Sequence, residues 1–433
     1  MLSVRLTFDP DHDDDVFASV PDAPAVFVLR GHELKAEPYV SKTANLRRRL
    51  VRLLSKSDER SKRLNLRERV ATIEYSPTGS DFESGFLLYK TLREEFPKSY
   101  SERLRLRPAP LVRLILENEY PRVTVTTRIT TLRGRSLYYG PFPTRAVAEK
   151  FSNDALDFFL VRRCTDDLKP DPAFPGCMYS EMKMCLAPCF KGCTDAEYRT
   201  EVERVQAFLD TGGQSLKREL EHQRDEASAS LDFERAAAVH ARIEKLAPVL
   251  SQIEEIVTRI DHLSGLVIQP SALTDCVTLF RVECGRLNGP IQFKVQENPA
   301  ATIGGEVGSE AHFNAKDARD AKSKGAEHRG QGRPLSMEAR LLEALAAVPL
   351  LEPGPAQETL EHLAYLKRWY YRTSKTGEAF FTDDKGELPM RRIVRGLSRV
   401  FRGEKPSDLR DVARDYWVNR GKAAELNPEN YNV

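Results

Sequence analysis

The chain has 433 residues, of which 41% are hydrophobic and 30% charged, and its formal net charge is +2. This is ordinary globular composition, which excludes a disordered or collagen-like chain, and the length allows roughly two to four domains with their own cores. The charge balance alone names no partner, and no apolar run approaches a membrane span or a signal-peptide core, so a cytoplasmic protein with no membrane contact is expected. The charge distribution says more. Asp9 to Asp15 is acidic, whereas Arg47 to Arg107 is dense in arginine and lysine. Such a stretch either tracks phosphates or solvates helix faces.

In chain order, Ala25-Val26-Phe27-Val28-Leu29 reads as a buried strand and Pro38-Tyr39-Val40 as a second, with a turn near Gly31 between them. Leu46, Leu50, Leu53 and Leu54 then fall on one face of a helix, with Arg47, Arg48 and Arg49 on its other sides. Ser84 to Leu92 is an apolar helix that ends before Pro97. Val123 to Ile129 alternates like a strand, Gly140-Pro141 turns the chain, and a helix from Thr144 to Val161 leads to Cys164.

Five of the seven cysteines lie between Cys164 and Cys193. Twelve residues separate Cys164 from Cys177, seven separate Cys177 from Cys185, and three each separate Cys185 from Cys189 and Cys189 from Cys193. Prolines and Gly176 keep this segment out of regular helix, so its cysteines can converge on one point. A long chain without a secretion signal favours metal binding over a disulfide framework. Thiolates suit zinc and iron–sulfur clusters alike, and buried reduced cysteines are the plain alternative.

Beyond the cysteines, Val202, Val205, Phe208 and Leu209 share a helical face, and Leu216 and Leu220 begin another run. Leu231-Asp232-Phe233-Glu234-Arg235 breaks and restarts the helix with Asp232 as N-cap, and Val239, Ile243, Leu246 and Leu250 continue it. Two short antiparallel helices cannot bury an apolar seam alone, so pairing with a like hairpin is expected. Leu266 to Ile268 and Cys276 to Val282 read as strands with a hairpin turn at Leu287-Asn288-Gly289. Ala300 to Arg333 looks like a flexible insertion. Helices follow at Met337 to Ala347 and Glu358 to Tyr371. Phe380-Phe381-Thr382 and a turn at Asp384-Lys385-Gly386 read as a last hairpin, before a basic helix from Arg391 to Arg402.

These motifs, in this order, resemble the UvrC family of the ABC excinucleases. Ala25-Val26-Phe27, Tyr39-Val40-Ser41-Lys42 and Asn45-Leu46-Arg47-Arg48-Arg49 resemble its GIY-YIG nuclease domain. That chemistry uses a tyrosine base, a cation near the scissile phosphate and a carboxylate that holds a divalent metal. The resemblance makes Tyr39, Lys42 and Arg49 the candidate catalytic residues and Arg47, Arg48 and Arg49 the candidate DNA contacts. The departures are Phe27, Ser41 and Leu53 at motif positions, and Tyr89 where the metal-binding glutamate is expected, with Glu83 or Glu94 as substitutes. A neutral tyrosine cannot replace a carboxylate on a hard cation, so the site is expected to be inactive. Cys164, Cys177, Cys185 and Cys189 match the family's four cysteines, which implies a 4Fe-4S cluster, with zinc as the alternative and Cys193 as an extra. Leu231, Asp232, Phe233, Glu234 and Arg235 match the core of the UVR motif, through which UvrC and UvrB dock. The strand pair after Ser251 resembles the entry to an RNase H-like nuclease domain, but neither the Asp-Gly-Gly-Lys-Gly-type signature nor the tandem helix–hairpin–helix module is found.

The expected fold is therefore α+β and multidomain. Residues 1–107 form a degenerate GIY-YIG-like domain, 108–163 a connector, 164–193 the cysteine cluster and 194–250 the UVR hairpin. Residues 251–299 form the RNase H-like strand pair, 300–334 the insertion and 335–433 a helical, basic end. The expected function is that of a shortened UvrC-like excision repair protein, bound to lesion-bearing double-stranded DNA and to UvrB or another UVR-bearing protein, with weak or no nuclease activity. The alternatives are an active GIY-YIG endonuclease using Mg or Mn, and an iron–sulfur redox or metal sensor on the same scaffold.

Overall fold

A computed structural model describes residues 2–33, 36–56, 64–165, 168–295, 336–351, 354–383 and 385–404. The expected insertion falls almost wholly outside these residues, as do Asp384 and everything after Glu404. Strand β1 (Val4–Thr7) and helix α1 (Asp13–Ser19) precede the expected hairpin of β2 (Ala25–Gly31) and β3 (Tyr39–Thr43). Helix α2 (Leu46–Leu54) follows, with the Asn45 side chain accepting from the Arg48 backbone amide at 2.9 Å. Strand β4 (Val70–Pro77) completes an antiparallel sheet in the order β1-β4-β2-β3. Successive residues of a strand face opposite sides. Ala25, Phe27 and Leu29 therefore meet Leu46, Leu50, Leu53 and Leu54 in one core. Helix α3 (Asp81–Glu95) packs against β2 and β3 and is followed by the short α4 (Tyr100–Leu104).

The middle region has β5 (Leu111–Ile115), β6 (Arg122–Thr126) and β7 (Leu137–Gly140). Helix α5 (Arg145–Leu156) packs on this sheet, and the one-turn α6 (Met178–Glu181) lies in the cysteine loop. Helices α7 (Asp195–Asp210), α8 (Gln214–Ala229) and α9 (Phe233–Leu250) follow, and β8 (Thr258–Arg259) closes the sheet order β6-β5-β7-β8. The base of the α8–α9 seam, through Leu216, Leu220, Val239, Leu246 and Val249, joins Phe142, Phe151, Val205 and Phe208 in a single core. The seam expected to need a second hairpin is thus partly buried by the chain's own middle region.

The last sheet runs β11-β10-β9-β12, from β9 (Gly265–Pro270), β10 (Cys276–Glu283), β11 (Arg286–Lys294) and β12 (Glu378–Phe381). One face packs on α10 (Met337–Ala346) and α12 (Met390–Phe401). The other joins α11 (Ala356–Tyr370), the middle region and α3 in a central core holding Phe82, Phe86, Tyr89, Leu111, Phe280, Leu363 and Trp369.

One expected turn is corrected. The β10–β11 turn is Cys284-Gly285, not Asn288-Gly289: Glu283 pairs with Arg286, and Cys284 and Gly285 both have positive φ (48° and 71°), as a two-residue hairpin demands. Gly289 and Pro290 instead fall at a register shift within β11, where an edge strand tolerates a residue without an N–H. The turn expected after Phe381 is present at its described residues, where the Gly386 amide donates to the Asp383 carbonyl at 2.9 Å, with Asp384 outside the described residues. Strand β12, however, pairs antiparallel with β9 across more than a hundred intervening residues rather than with a strand after this turn.

Candidate functional site

Strand period splits the three candidate catalytic residues. Tyr39 lies opposite Leu29, on the face that carries α2, and its hydroxyl accepts from Arg49 Nη2 at 2.8 Å. The Phe27 ring lies 6.0 Å from the Tyr39 ring, where it offers packing and no hydroxyl. Lys42 lies opposite Val26 on the other face, where Asp81 of α3 takes it. Asp81 also accepts from Arg372 Nη1 at 2.8 Å. Burial raises the Asp81 carboxyl, but the two cations outweigh it and hold the group below its ordinary range. Arg47 and Arg48 are exposed, though Arg47 Nε is committed to the Val20 carbonyl at 2.9 Å. Leu53 is buried in the core beside α2.

Tyr89 is not brought to Tyr39. It is 1% exposed, and its hydroxyl donates to Glu361 Oε2 at 2.9 Å while accepting from Arg93 Nη1 at 3.0 Å. Burial, and then the Glu361 charge, push its hydroxyl far above the usual tyrosine range. Glu361 also accepts from Tyr100 Oη at 2.9 Å. Glu83 caps its own helix by accepting from the Gly79 amide at 2.7 Å, and burial raises its carboxyl. Among the described residues, no carboxylate pairs with Tyr39 or Arg49.

The cysteine loop is irregular, with left-handed backbone at Lys183, Ala187 and Lys191. Cys164, Cys177, Cys185 and Cys189 are each half-buried. Burial raises the Cys185 thiol to about 11, and the nearby sulfurs of Cys164, Cys189 and Cys177 add to it, so the four share one electrostatic neighbourhood. The Ala187 amide donates to Cys185 Sγ at 3.3 Å, and the buried Arg162 donates from Nη1 to Cys164 Sγ at 3.4 Å. Cys193 packs against the middle core instead. Among the described residues no three such side chains, as placed, come close enough together to hold an ion. The donor set fits a thiolate-bound metal or cluster in its chemistry: four sulfurs, one loop and a neighbouring cation.

At the far end of α8 and α9, Leu231 and Phe233 are 72% and 66% exposed. Asp232 accepts from the Arg235 amide at 3.1 Å, and Asp232, Glu234 and Arg235 are exposed as well.

Residues 111–208 match the family model described as UvrC/Cho excinuclease, middle domain, and residues 214–247 match the UvrB/uvrC motif. The UvrABC system protein C of Pseudomonas aeruginosa strain PAO1 is 31% identical over 294 residues, which is 67% of this chain and 46% of that protein. The chain belongs to the UvrC family.

Further UvrC relatives agree. The UvrABC system proteins C of Pseudomonas aeruginosa strain LESB58 and of Pseudomonas paraeruginosa are each 31% identical over 273 residues, 62% of this chain and 43% of theirs. The chain thus spans less than half the length of these curated relatives. No solved structure matches it significantly. The UvrC models cover most of the cysteine loop and the hairpin tip, whereas the Tyr39–Arg49 pair lies outside both. The structure adds residues that sequence motifs do not mark: Arg162 beside Cys164, Asp81 and Arg372 beside Lys42, and Glu361 on Tyr89. Of these, Arg162 carried a signal through its place two residues before Cys164, and Arg372 through its place in the basic, aromatic-rich run from Lys367 to Arg402. No helix among the described residues is long and apolar enough to cross a membrane.

Proposed function

We propose that the chain acts in nucleotide excision repair as a UvrC-like protein that contacts double-stranded DNA and docks on UvrB, or another UVR-bearing protein, with little or no nuclease activity of its own. The observation that carries this reading is the hairpin tip. The base of α8 and α9 is buried against the middle region, yet Leu231 and Phe233 stand in solvent with nothing of the described chain to cover them. An exposed apolar pair on a rigid stem is a docking feature rather than a core feature. Exposed Arg48, beside Arg47 and Arg49, gives α2 a basic side for a DNA backbone.

Weak or absent cutting follows from the other site. Tyr39 and Arg49 are joined, but among the described residues no carboxylate stands with them, and Tyr89 is spent on a structural junction. Cys164, Cys177, Cys185 and Cys189 would hold a 4Fe-4S cluster, with zinc as the alternative. Such a group would tie the loop to the middle region and, as iron–sulfur, supply one-electron chemistry. A second reading, a metal-dependent endonuclease making one incision with Mg or Mn, draws support only from the Tyr39–Arg49 contact.

The deciding experiment incubates the full chain with lesion-bearing duplex, UvrA, UvrB and Mg or Mn. UvrB binding without a nick supports the proposal. A specific nick that disappears in Arg49→Ala overturns it in favour of the endonuclease.

A further inference from the structure

The seam between α3 and α11 carries a charge arrangement that the readings above do not use. Asp81 takes one cation on each oxygen, Lys42 on Oδ1 and Arg372 on Oδ2. Two cations from distant parts of the chain thus converge on one oxyanion, as they would on two non-bridging oxygens of a phosphate. Arg368 lies in the last turn of α11, four residues before Arg372, which stands just beyond the helix end, and both line the same cleft. It is exposed, and no carboxylate among the described residues pairs with it. Three cations against one carboxylate leave this small region net positive. Behind them Phe82 and Trp369, each 5% exposed with ring centroids 5.3 Å apart, form a fixed apolar wall. Gly85 lines the same cleft beside the Tyr365 ring.

We propose that Lys42, Arg368 and Arg372 form a phosphodiester-binding site in which Asp81 occupies the place of a phosphate and competes with it. Arg368 supplies the free cation on which a backbone phosphate first rests, and Lys42 and Arg372 are shared between that phosphate and Asp81. The open cleft, with a volume of about 30 Å³, does not enclose a nucleobase. A passing backbone fits this shape better than a free nucleotide. The site rests on the DNA-contact reading and deepens it: the end of α11 and the residues just beyond it, not only the arginines of α2, hold the strand.

The test is binding of the full chain to a fluorescent duplex by anisotropy across a salt series, with wild type, Arg368→Ala, Arg372→Ala, the double variant and Asp81→Asn. Each lost phosphate contact lowers the slope of log K against log salt by about 0.9, equivalent to about eight-fold in affinity at 0.1 M salt. Because the three cations share one phosphate, the double variant should lose no more than about 0.9 in slope. Asp81→Asn should bind more tightly, because it frees two cations. Arg368 is exposed, so Arg368→Ala should leave the thermal unfolding midpoint unchanged and isolates binding from folding. Duplex binding by wild type with unchanged slope in the double variant overturns this site while sparing the DNA-contact reading. Weaker binding by Asp81→Asn overturns the competition. Absence of duplex binding by wild type overturns both.

Discussion

Replacing Glu361 by leucine should uncouple α11 from α3, and the size of the effect can be worked from its partners. The Glu361 carboxylate is 5% exposed and accepts from Tyr89 Oη, Tyr100 Oη and Gln357 Nε2, at 2.9, 2.9 and 2.8 Å. Leucine fills much of the volume, so cavity formation is minor. Gln357 is exposed and Tyr100 half-buried, so both can turn to water. Tyr89 cannot: at 1% exposure its hydroxyl hydrogen loses the one acceptor it has among the described residues. An orphaned buried donor costs about 1–3 kcal/mol, so Glu361→Leu should lose about 2 kcal/mol. Removing both partners, in Tyr89→Phe with Glu361→Leu, should restore most of that, because two apolar groups leave nothing unsatisfied. Urea unfolding followed by the fluorescence of Trp369, which lies in the same core, reads all three variants against wild type. If the double variant is destabilised by the full sum of the singles, Tyr89 and Glu361 are uncoupled and the account of this junction is wrong.

Three other outcomes follow from the same packing. Burial holds His362 neutral, with its pKa down to about 3 from an ordinary 6.5, while its Nδ1 accepts from the Leu287 amide at 3.0 Å. The unfolded chain therefore binds the extra proton between those values, and stability falls as pH drops below 6.5, by at most about 1.4 kcal/mol per unit. Urea midpoints of His362→Gln from pH 7 to pH 4 should fall less than those of wild type, and parallel curves would remove His362 from the acid response. Arg162→Met should lower iron and sulfide per anaerobically purified chain, since a buried cation beside Cys164 is lost, whereas Cys193→Ala should not; equal content in all three proteins would mean that Arg162 does not support the loop. Phe233→Ala should weaken UvrB binding about thirty-fold in surface-immobilised titration, the loss of one aromatic anchor of about 2 kcal/mol, with an unchanged thermal midpoint because the ring is exposed.

Local signals were legible wherever they were dense. The run at Val26, the leucines of α2, the cap at Asp232 and the three late helices all appear where periodicity places them. Strands β1 and β4 escaped because neither shows a continuous apolar run, and β1 is held to β4 only by pairing across about seventy residues. Asn288-Gly289 misled because a strong hairpin dipeptide lies three residues beyond another pair that can adopt positive φ, and register decided between them. At the candidate site, the cysteines and the hairpin tip carry their identity in their spacing. The junction of Tyr89 with Glu361 joins residues 272 apart, and the two arginines that face Lys42 lie on α11 or just beyond it. No local pattern can show a contact made by such distant segments.

Helix α3 belongs in sequence to the N-terminal unit, yet it contributes Phe82, Phe86 and Tyr89 to the core shared by the middle region and the last sheet. A chain shortened to begin after this unit would expose that core to water. The first hundred residues are therefore tied to the rest of the fold through this core, whatever chemistry their own sheet carries.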